Sequence, residues 1–337
     1  MKNAVIYQIF PDRFNNGNTK NDAAQTSARG ETDYELVDWS LYPENPEQED
    51  LLTAEEYTAA NAYTGDHIWN NEIYGGDFQG IVDRIDYLKA LGVNVIYLNP
   101  VFSSISSHRY DATDYGVMDP ILGGDGDFAK LVEVAEANDM KIVLDGVFNH
   151  VSDDSIYFDR YYKFLGKSEK IGAYPYWAYV YDYMESEDVS KEDAQKKAKE
   201  YFKKEYNVTD FSYITWFDIY NEPMMDDDTP ITDEIGIRSG KPVYSYDGWW
   251  GYDNMPVIKA TNGSEYQTGN WAEEIIYNEE GDSITQFWIE KGMNGWRLDV
   301  ANEVSDETWQ EFRESVKALD SDAVIIGEIW DDATEYL

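Results

Sequence analysis

FQGIVDRIDYLKALGVNVIYL (residues 78–98) is the stretch that decides the fold. Ile81, Ile85, Leu88 and Leu91 recur at the spacing of one helical face, and Gly92 follows as a helix stop. VNVIYL (93–98) then reads as a strand, and AVIYQIF (4–10) supplies the strand before, so the whole is a β-α-β unit. The helix-strand pair returns as DFAKLVEVAEAND (127–139) with KIVLDGV (141–147), and as SITQFWIEKG (283–292) with NGWRLDV (294–300). It returns again as ETWQEFRESVKAL (307–319) with AVIIGEI (323–329). The pattern predicts an α/β fold built on a parallel sheet, strands one to five of a (β/α)8 TIM barrel.

Two segments interrupt the alternation. Residues 15–76 form a long loop after strand one, rich in Asn, Asp, Gly and Pro. Between Val147 and about Met255 the chain is acidic, aromatic and irregular apart from one charged helical run, SKEDAQKKAKEYFKKEY (190–206). Loops this long in a compact fold are usually functional. The expected organisation is strands one to three with the long loop over 1–150, an inserted subdomain over 151–255, and strands four and five over 256–337.

Composition narrows the partners. Against 26 Lys+Arg stand 67 Asp+Glu, a formal net charge of −41 over 337 residues. Such a surface repels phosphate backbones and anionic lipid, which argues against nucleic acid and membrane as partners. With no cysteine there is no thiolate zinc site, no cysteine nucleophile and no disulfide, and compartment cannot be read from redox chemistry. No apolar run is long enough for a membrane span, and MKNAVIYQIFPDRF breaks at Gln8 and Pro11-Asp12 before a signal sequence could form, so a soluble chain is expected. The aromatic residues, 28 Tyr, 11 Trp and 13 Phe, crowd into YPYWAYVYDYM (174–184) and YSYDGWWGYDN (244–254). Stacking on the apolar face of a sugar and packing within an irregular insert both account for them.

In a parallel barrel, catalytic groups sit at the carboxyl ends of the strands. Three acids stand there: Asp145 after an apolar run, with Asn149 and His150 following; Asp299 after Gly-Trp-Arg-Leu; and Glu328 after Val-Ile-Ile-Gly. Charges ending buried strands are costly unless paired or functional. Arg297, two residues before Asp299, points to the same side of its strand and suits an ionised nucleophile. A partly desolvated Glu328 beside an anionic Asp suits a general acid, and the two together meet the requirements of retaining glycoside hydrolysis.

These residues lie in patterns that resemble the α-amylase family, glycoside hydrolase family 13, and most closely its amylopullulanase, neopullulanase and cyclomaltodextrinase branch. The patterns are DGVFNH (145–150), GWRLDVANE (295–303), GEIW (327–330) and YDNMPVI (252–258). VIYQIFPDRFNNGN, YGGDFQGI (74–81) and SSHRYDATDYGVMDP (106–120) match in order and spacing. The resemblance implies Asp299 as nucleophile, Glu328 as acid/base and Arg297 as partner of the nucleophile. It also implies Asp145, Asn149, His150, Tyr110 and His108 as substrate-binding groups, and an α-glucan oligo- or polysaccharide as substrate. Asn16, Asn18, Asn21, Asp22, Gly75 and Asp77 offer hard oxygen ligands, and the matching positions of this branch hold a structural calcium ion (Ca2+).

The chain also departs from the family. No His-Asp pair follows any of His67, His108 or His150, so the family's third catalytic carboxylate is absent from these residues, as are strands six to eight. Five strands cannot close an eight-stranded barrel, and strands one and five are expected to leave open edges. The reading is therefore of an amino-terminal portion of a catalytic domain, poorly stable and nearly inactive by itself. A cooperative, monomeric melt after refolding would overturn that expectation. Hydrolysis of α-1,4 linkages, with α-1,6 linkages as a further class, is the first reading of function. Glycosyl transfer on the same site and glucan binding without turnover are the alternatives.

Overall fold

The computed structural model describes residues 3–22, 35–39, 41, 71–233, 237–259 and 270–336. His67 and most of the loop predicted over 15–76 lie outside them. Two compact units are formed, one from Met1–Tyr110, Tyr115–Asp145 and Lys291–Arg297, the other from Asp111–Asp114, Gly146–Glu290 and Leu298–Leu337.

In the first unit, β1 (Ile6–Ile9) pairs in parallel with β2 (Val95–Leu98), and β2 pairs in parallel with β3 (Lys141–Gly146). Ile96, Leu98, Ile142, Val143 and Leu144 are all buried, as strands covered on both faces require. The next strand, β4 (Gly295–Leu298), is set by Asn294, whose N–H donates to the Ile142 carbonyl at 2.7 Å while its side-chain oxygen accepts from the Ile142 N–H at 2.9 Å. This is the α/β arrangement with a parallel sheet read from the sequence.

The helix predicted over 78–92 is broken into α1 (Phe78–Asp83) and α2 (Ile85–Ala90). Arg84, at φ −106° and ψ 8°, leaves the helical region while its guanidinium donates to Asn15 Oδ1. Hydrophobic spacing carries across the break, so periodicity alone cannot see it. Asp77 caps α1, its carboxylate accepting from the Gly80 N–H at 2.6 Å. Gly92, at φ +80°, ends the pair as expected. After it, α3 (Gly124–Ala137) precedes β3, burying Phe128, Leu131 and Ala135.

The second unit corrects the reading of 147–255 as irregular. YPYWAYVYDYM lies in a regular helix, α4 (Ala173–Glu187), paired with α5 (Lys191–Tyr206). Tyrosine is an indifferent helix former, but tertiary burial overrides propensity. Tyr174, Tyr176 and Tyr181 are buried, so packing rather than sugar stacking accounts for these three rings. An aromatic core surrounds them: Tyr157 stacks on Trp216 with ring centroids at 5.3 Å, and Phe158 meets Tyr246 at 4.6 Å. The short helices α6 (Trp271–Ile275) and α7 (Ile284–Glu290) are joined through the Ile276 carbonyl, which accepts from the hydroxyls of Ser283, Thr285 and Ser315. Ser315 belongs to α8 (Asp306–Leu319), the helix before β5 (Val324–Gly327). β5 is tied to the end of β4 by the Glu328 N–H donating to the Leu298 carbonyl at 2.9 Å.

Gly80 lies where a Cβ would stand 1.7 Å from the Asn15 carbonyl oxygen, a backbone atom that cannot swing aside. Overpacking of this kind typically costs about 1–3 kcal/mol. Gly80→Ala is expected to lose at least about 2 kcal/mol in a urea titration, and an unchanged midpoint would show that the Asn15 loop yields.

Candidate active site

The first unit holds a polar cluster at the ends of β2, β3 and β4. Asp145, fully buried, accepts from Arg297 Nη1 at 2.7 Å and from the Tyr97 hydroxyl at 2.6 Å, with the Tyr110 hydroxyl at 3.3 Å. Burial raises the Asp145 pKa to about 6, although the Arg297 charge and the hydrogen bonds from Tyr97, Arg297 and Tyr110 all oppose the rise. Arg297 thus forms an ion pair with Asp145, a carboxylate on the neighbouring strand. Tyr110 is positioned twice more: its hydroxyl accepts from Asn99 Nδ2 at 3.1 Å, and its backbone N–H donates to His108 Nδ1 at 3.1 Å. Accepting at Nδ1 places the proton of neutral His108 on Nε2. Tyr97 and Asn99 were not singled out by sequence reasoning. Their signal was the same-side spacing of two polar-tipped residues at the end of an apolar strand.

The second unit holds the other carboxylates. Asp299 is 6% exposed, and its N–H donates to the Gly146 carbonyl at 3.2 Å. Val300 follows at φ +35° and ψ 54°, a left-handed conformation that a β-branched residue adopts only under constraint. The turn directs the Val300 N–H to Glu328 Oε2 at 3.3 Å, and the Ala301 N–H donates to the Glu328 carbonyl at 2.9 Å. Gly146 allows the approach, since a Cβ there would meet the Phe148 ring at 2.8 Å and Leu298 at 3.3 Å. The sequence motifs pair here as well: the Val151 N–H donates to the Pro256 carbonyl and the Ile258 N–H to the Asn149 carbonyl. Asn149 Nδ2 lies 2.8 Å from His150 Nδ1, and the His150 ring stacks on Trp249 at 5.2 Å. Trp249 and Trp250 both donate to Glu303, and Trp250 and Trp330 are 67% and 63% exposed, so these rings stay available to solvent.

The calcium positions divide into two groups. Asn16 Nδ2 donates to Asp22 Oδ2 at 2.7 Å, and both side chains press against Gly75, which is held at φ +74°. Among the described residues, Asn16 Oδ1, Asn21 Oδ1 and Asp22 Oδ1 are buried without a hydrogen-bond partner, the condition of oxygens that suit a hard cation. Asp77 and Asn18 are engaged otherwise. The Asp77 carboxylate accepts from the N–H groups of Gly17, Asn18 and Gly80, and Asn18 Oδ1 accepts from the Lys20 N–H. Among the described residues no group of three or more His, Cys, Asp or Glu side chains is placed to hold a metal. The candidate set is rich in amides, with a single carboxylate in its unsatisfied part. Among the described residues no helix is long and apolar enough to cross a membrane.

The chain is similar to known proteins in sequence and in fold. The family described as the α-amylase catalytic domain matches residues 8–337. An amylopullulanase from Thermoanaerobacter thermohydrosulfuricus is 41% identical over 341 residues, covering 99% of this chain and 19% of that protein. A cyclomaltodextrinase from Thermoanaerobacter pseudethanolicus is 32% identical over 334 residues, covering 99% of this chain and 40% of that protein. The solved structure of a type III pullulan hydrolase from Thermococcus kodakarensis matches with a TM-score of 0.61 at 26% identity, covering 99% of this chain and 44% of the other. The chain spans only 15% to 22% of the length of the amylopullulanases it matches.

Removing one partner of the buried pair is costly, because the other charge is left uncompensated. Arg297→Ala is expected to lose about 3–5 kcal/mol of stability by chemical denaturation and to push the Asp145 pKa higher still. A loss below about 1 kcal/mol would show that the pair is solvated. The pH dependence has a definite sign. With a folded pKa of about 6 against an ordinary 3.8, Asp145 favours the folded state most below about pH 4, and that contribution is lost as pH rises through 6. Asp145→Asn is expected to remove this component of the stability slope between pH 4 and 6, as read by denaturation at each pH.

Proposed function

The chain belongs to the family of α-amylase catalytic domains, and on that premise we propose that it carries the catalytic carboxylates of a retaining α-glucan hydrolase. Its substrates are starch, pullulan or maltodextrins, cleaved at α-1,4 linkages, with α-1,6 linkages as a further class. The observation that carries the reading is the strained turn at Val300, which follows Asp299 directly and gives its N–H to the carboxylate of Glu328. Strain of this kind persists where the surrounding structure enforces it, and it clusters at active sites.

In this mechanism Glu328 protonates the glycosidic oxygen as Asp299 attacks the anomeric carbon, and the bond to the leaving sugar breaks. Water, deprotonated by Glu328, then attacks the same carbon and frees Asp299, so that two inversions retain the α configuration. Asp145, Tyr110 and His108 bind hydroxyls of the sugar, with Asp145 as an acceptor once it is ionised. Asn149 and His150 shape the site from the loop after β3, where Trp249 packs on the imidazole.

In an enzyme completed with the remaining barrel strands and the third carboxylate, a mechanism-based fluoroglycoside is expected to label Asp299 covalently, located by peptide mass spectrometry, and the first free sugar is expected to be the α anomer by NMR. Asp299→Asn and Glu328→Gln should each lower turnover by at least roughly 10³-fold, since groups acting together in one step lose most of their effect when either is removed. An initial β anomer would sink the assignment.

Calcium is part of the same proposal. The buried oxygens of Asn16, Asn21 and Asp22 would hold it, with Gly75 alongside, and its role would be to secure the loop before α1. At a free ion concentration about 100 times the Kd, binding would add about 2.7 kcal/mol to stability. Chelation is expected to lower the melting midpoint in wild type, and Asp22→Ala should abolish the difference between chelated and calcium-loaded protein.

A further inference from the structure

In the second unit, α4 and the segment around residues 237–241 line a cavity of about 280 Å³ that shares no residue with the proposed catalytic carboxylates. Its size falls just below the range for drug-sized ligand pockets, roughly 300–1,000 Å³, and so suits a small ligand. Tyr179 and Tyr183, one turn apart on α4, contribute rings within 7° of parallel with centroids 6.0 Å apart. Tyr201 of α5 extends the ladder, stacking on Tyr179 at 4.5 Å. Rings held by packing lose little freedom when a ligand arrives.

The remaining walls are polar but electrically balanced. Asp182 accepts from Arg238 Nε and Nη2 at 3.1 Å and from Lys241 Nζ at 2.9 Å, and Arg238 also pairs with Asp233 at 2.6 Å. Charges cancelled internally favour a neutral ligand over an ionic one. Tyr162, another wall residue, is held at φ +60°, and its hydroxyl is shielded from solvent without a hydrogen-bond partner among the described residues. A bulky residue in the left-handed region is strain of the kind found at ligand clamps. Ser186 and Lys241 stand at exposed positions on the rim.

Flat apolar rings beside neutral or compensated hydrogen-bonding groups are complementary to a ring with apolar faces and hydroxyl edges. We propose that this cavity is a second carbohydrate site, which holds a pyranose ring of an α-glucan without cleaving it. The proposal rests on the α-glucan reading above and adds a site to it. By retaining a polymeric chain on the inserted segment, it would favour long substrates over short ones.

Affinity electrophoresis through gels containing soluble starch, with maltoheptaose titrated by calorimetry, tests this on the whole protein in the Asp299→Asn background, where substrate survives. Tyr183→Ala removes one ring, and Ser186→Trp fills the cavity from an exposed position that leaves the core intact. Circular dichroism melts show that each variant is folded. Both variants are expected to migrate faster through starch and to lose a binding component, with a Kd at least fivefold weaker. Retardation and Kd unchanged in a folded Ser186→Trp variant would overturn the proposal, even if Tyr183→Ala proved unstable. If the α-glucan reading itself were wrong, the Asp299→Asn parent would not be retarded and, in the wild-type enzyme, the fluoroglycoside would leave Asp299 unlabelled. Failure of the second site alone leaves the parent retarded, wild-type Asp299 labelled and the variants indistinguishable from the parent.

Discussion

The pairing of Arg297 with Asp145 is the constraint on which the first unit depends. Groups 152 positions apart in the chain are held at 2.7 Å, and neither could be buried alone without an effective penalty of several kcal/mol. The pair therefore requires β3 and β4 to keep one register, and the reciprocal bonds between Asn294 and Ile142 set it. Tyr97 brings β2 into the same arrangement, and Tyr110 brings in the loop after it. Even with these partners Asp145 remains harder to ionise than an ordinary carboxyl, so the stabilising contacts do not fully offset its desolvation. A carboxylate kept at that cost is more readily explained by chemistry than by stability.

In the second unit the comparable constraint lies in the backbone. Val300 occupies a left-handed conformation, and at Gly146 a Cβ would stand 2.8 Å from the Phe148 ring. Val300 follows the proposed nucleophile Asp299, and Gly146 follows the proposed substrate-binding Asp145. The Val300 N–H donates to the Glu328 carboxylate and the Ala301 N–H to the Glu328 carbonyl, so one turn holds both the side chain and the main chain of Glu328. Such orientation through main-chain donors needs no rearrangement when a substrate arrives.

Much of this is legible in the sequence. The strands of KIVLDG and GWRL, the helix of ETWQEFRESVKAL and the stop at Gly92 follow from apolar runs, helical spacing and a glycine, which are local signals. The acids stood out because they ended apolar strands rather than because they were acids, in a chain that has 67 of them. What misled was aromatic content. A run as tyrosine-rich as 174–184 carries weak helix propensity and reads as loop, yet burial of Tyr174, Tyr176 and Tyr181 makes α4 regular. The break at Arg84 is equally hidden, because the hydrophobic spacing continues across it while Arg84 bonds to Asn15, 69 positions away.

The sequence by itself determined the alternation of helix and strand and the positions of the three strand-end carboxylates, since each is written in spacing along the chain, and its motifs carried the resemblance to the family. Only the tertiary structure decided that Arg297 pairs with Asp145 across two strands, which of the oxygens around Asn16 to Asp77 are left unsatisfied among the described residues, and which tyrosines are core and which line a cavity. Those outcomes rest on distances between residues remote in sequence and on the cost of burying charge. Neither quantity exists until the strands have their register and the helices have packed.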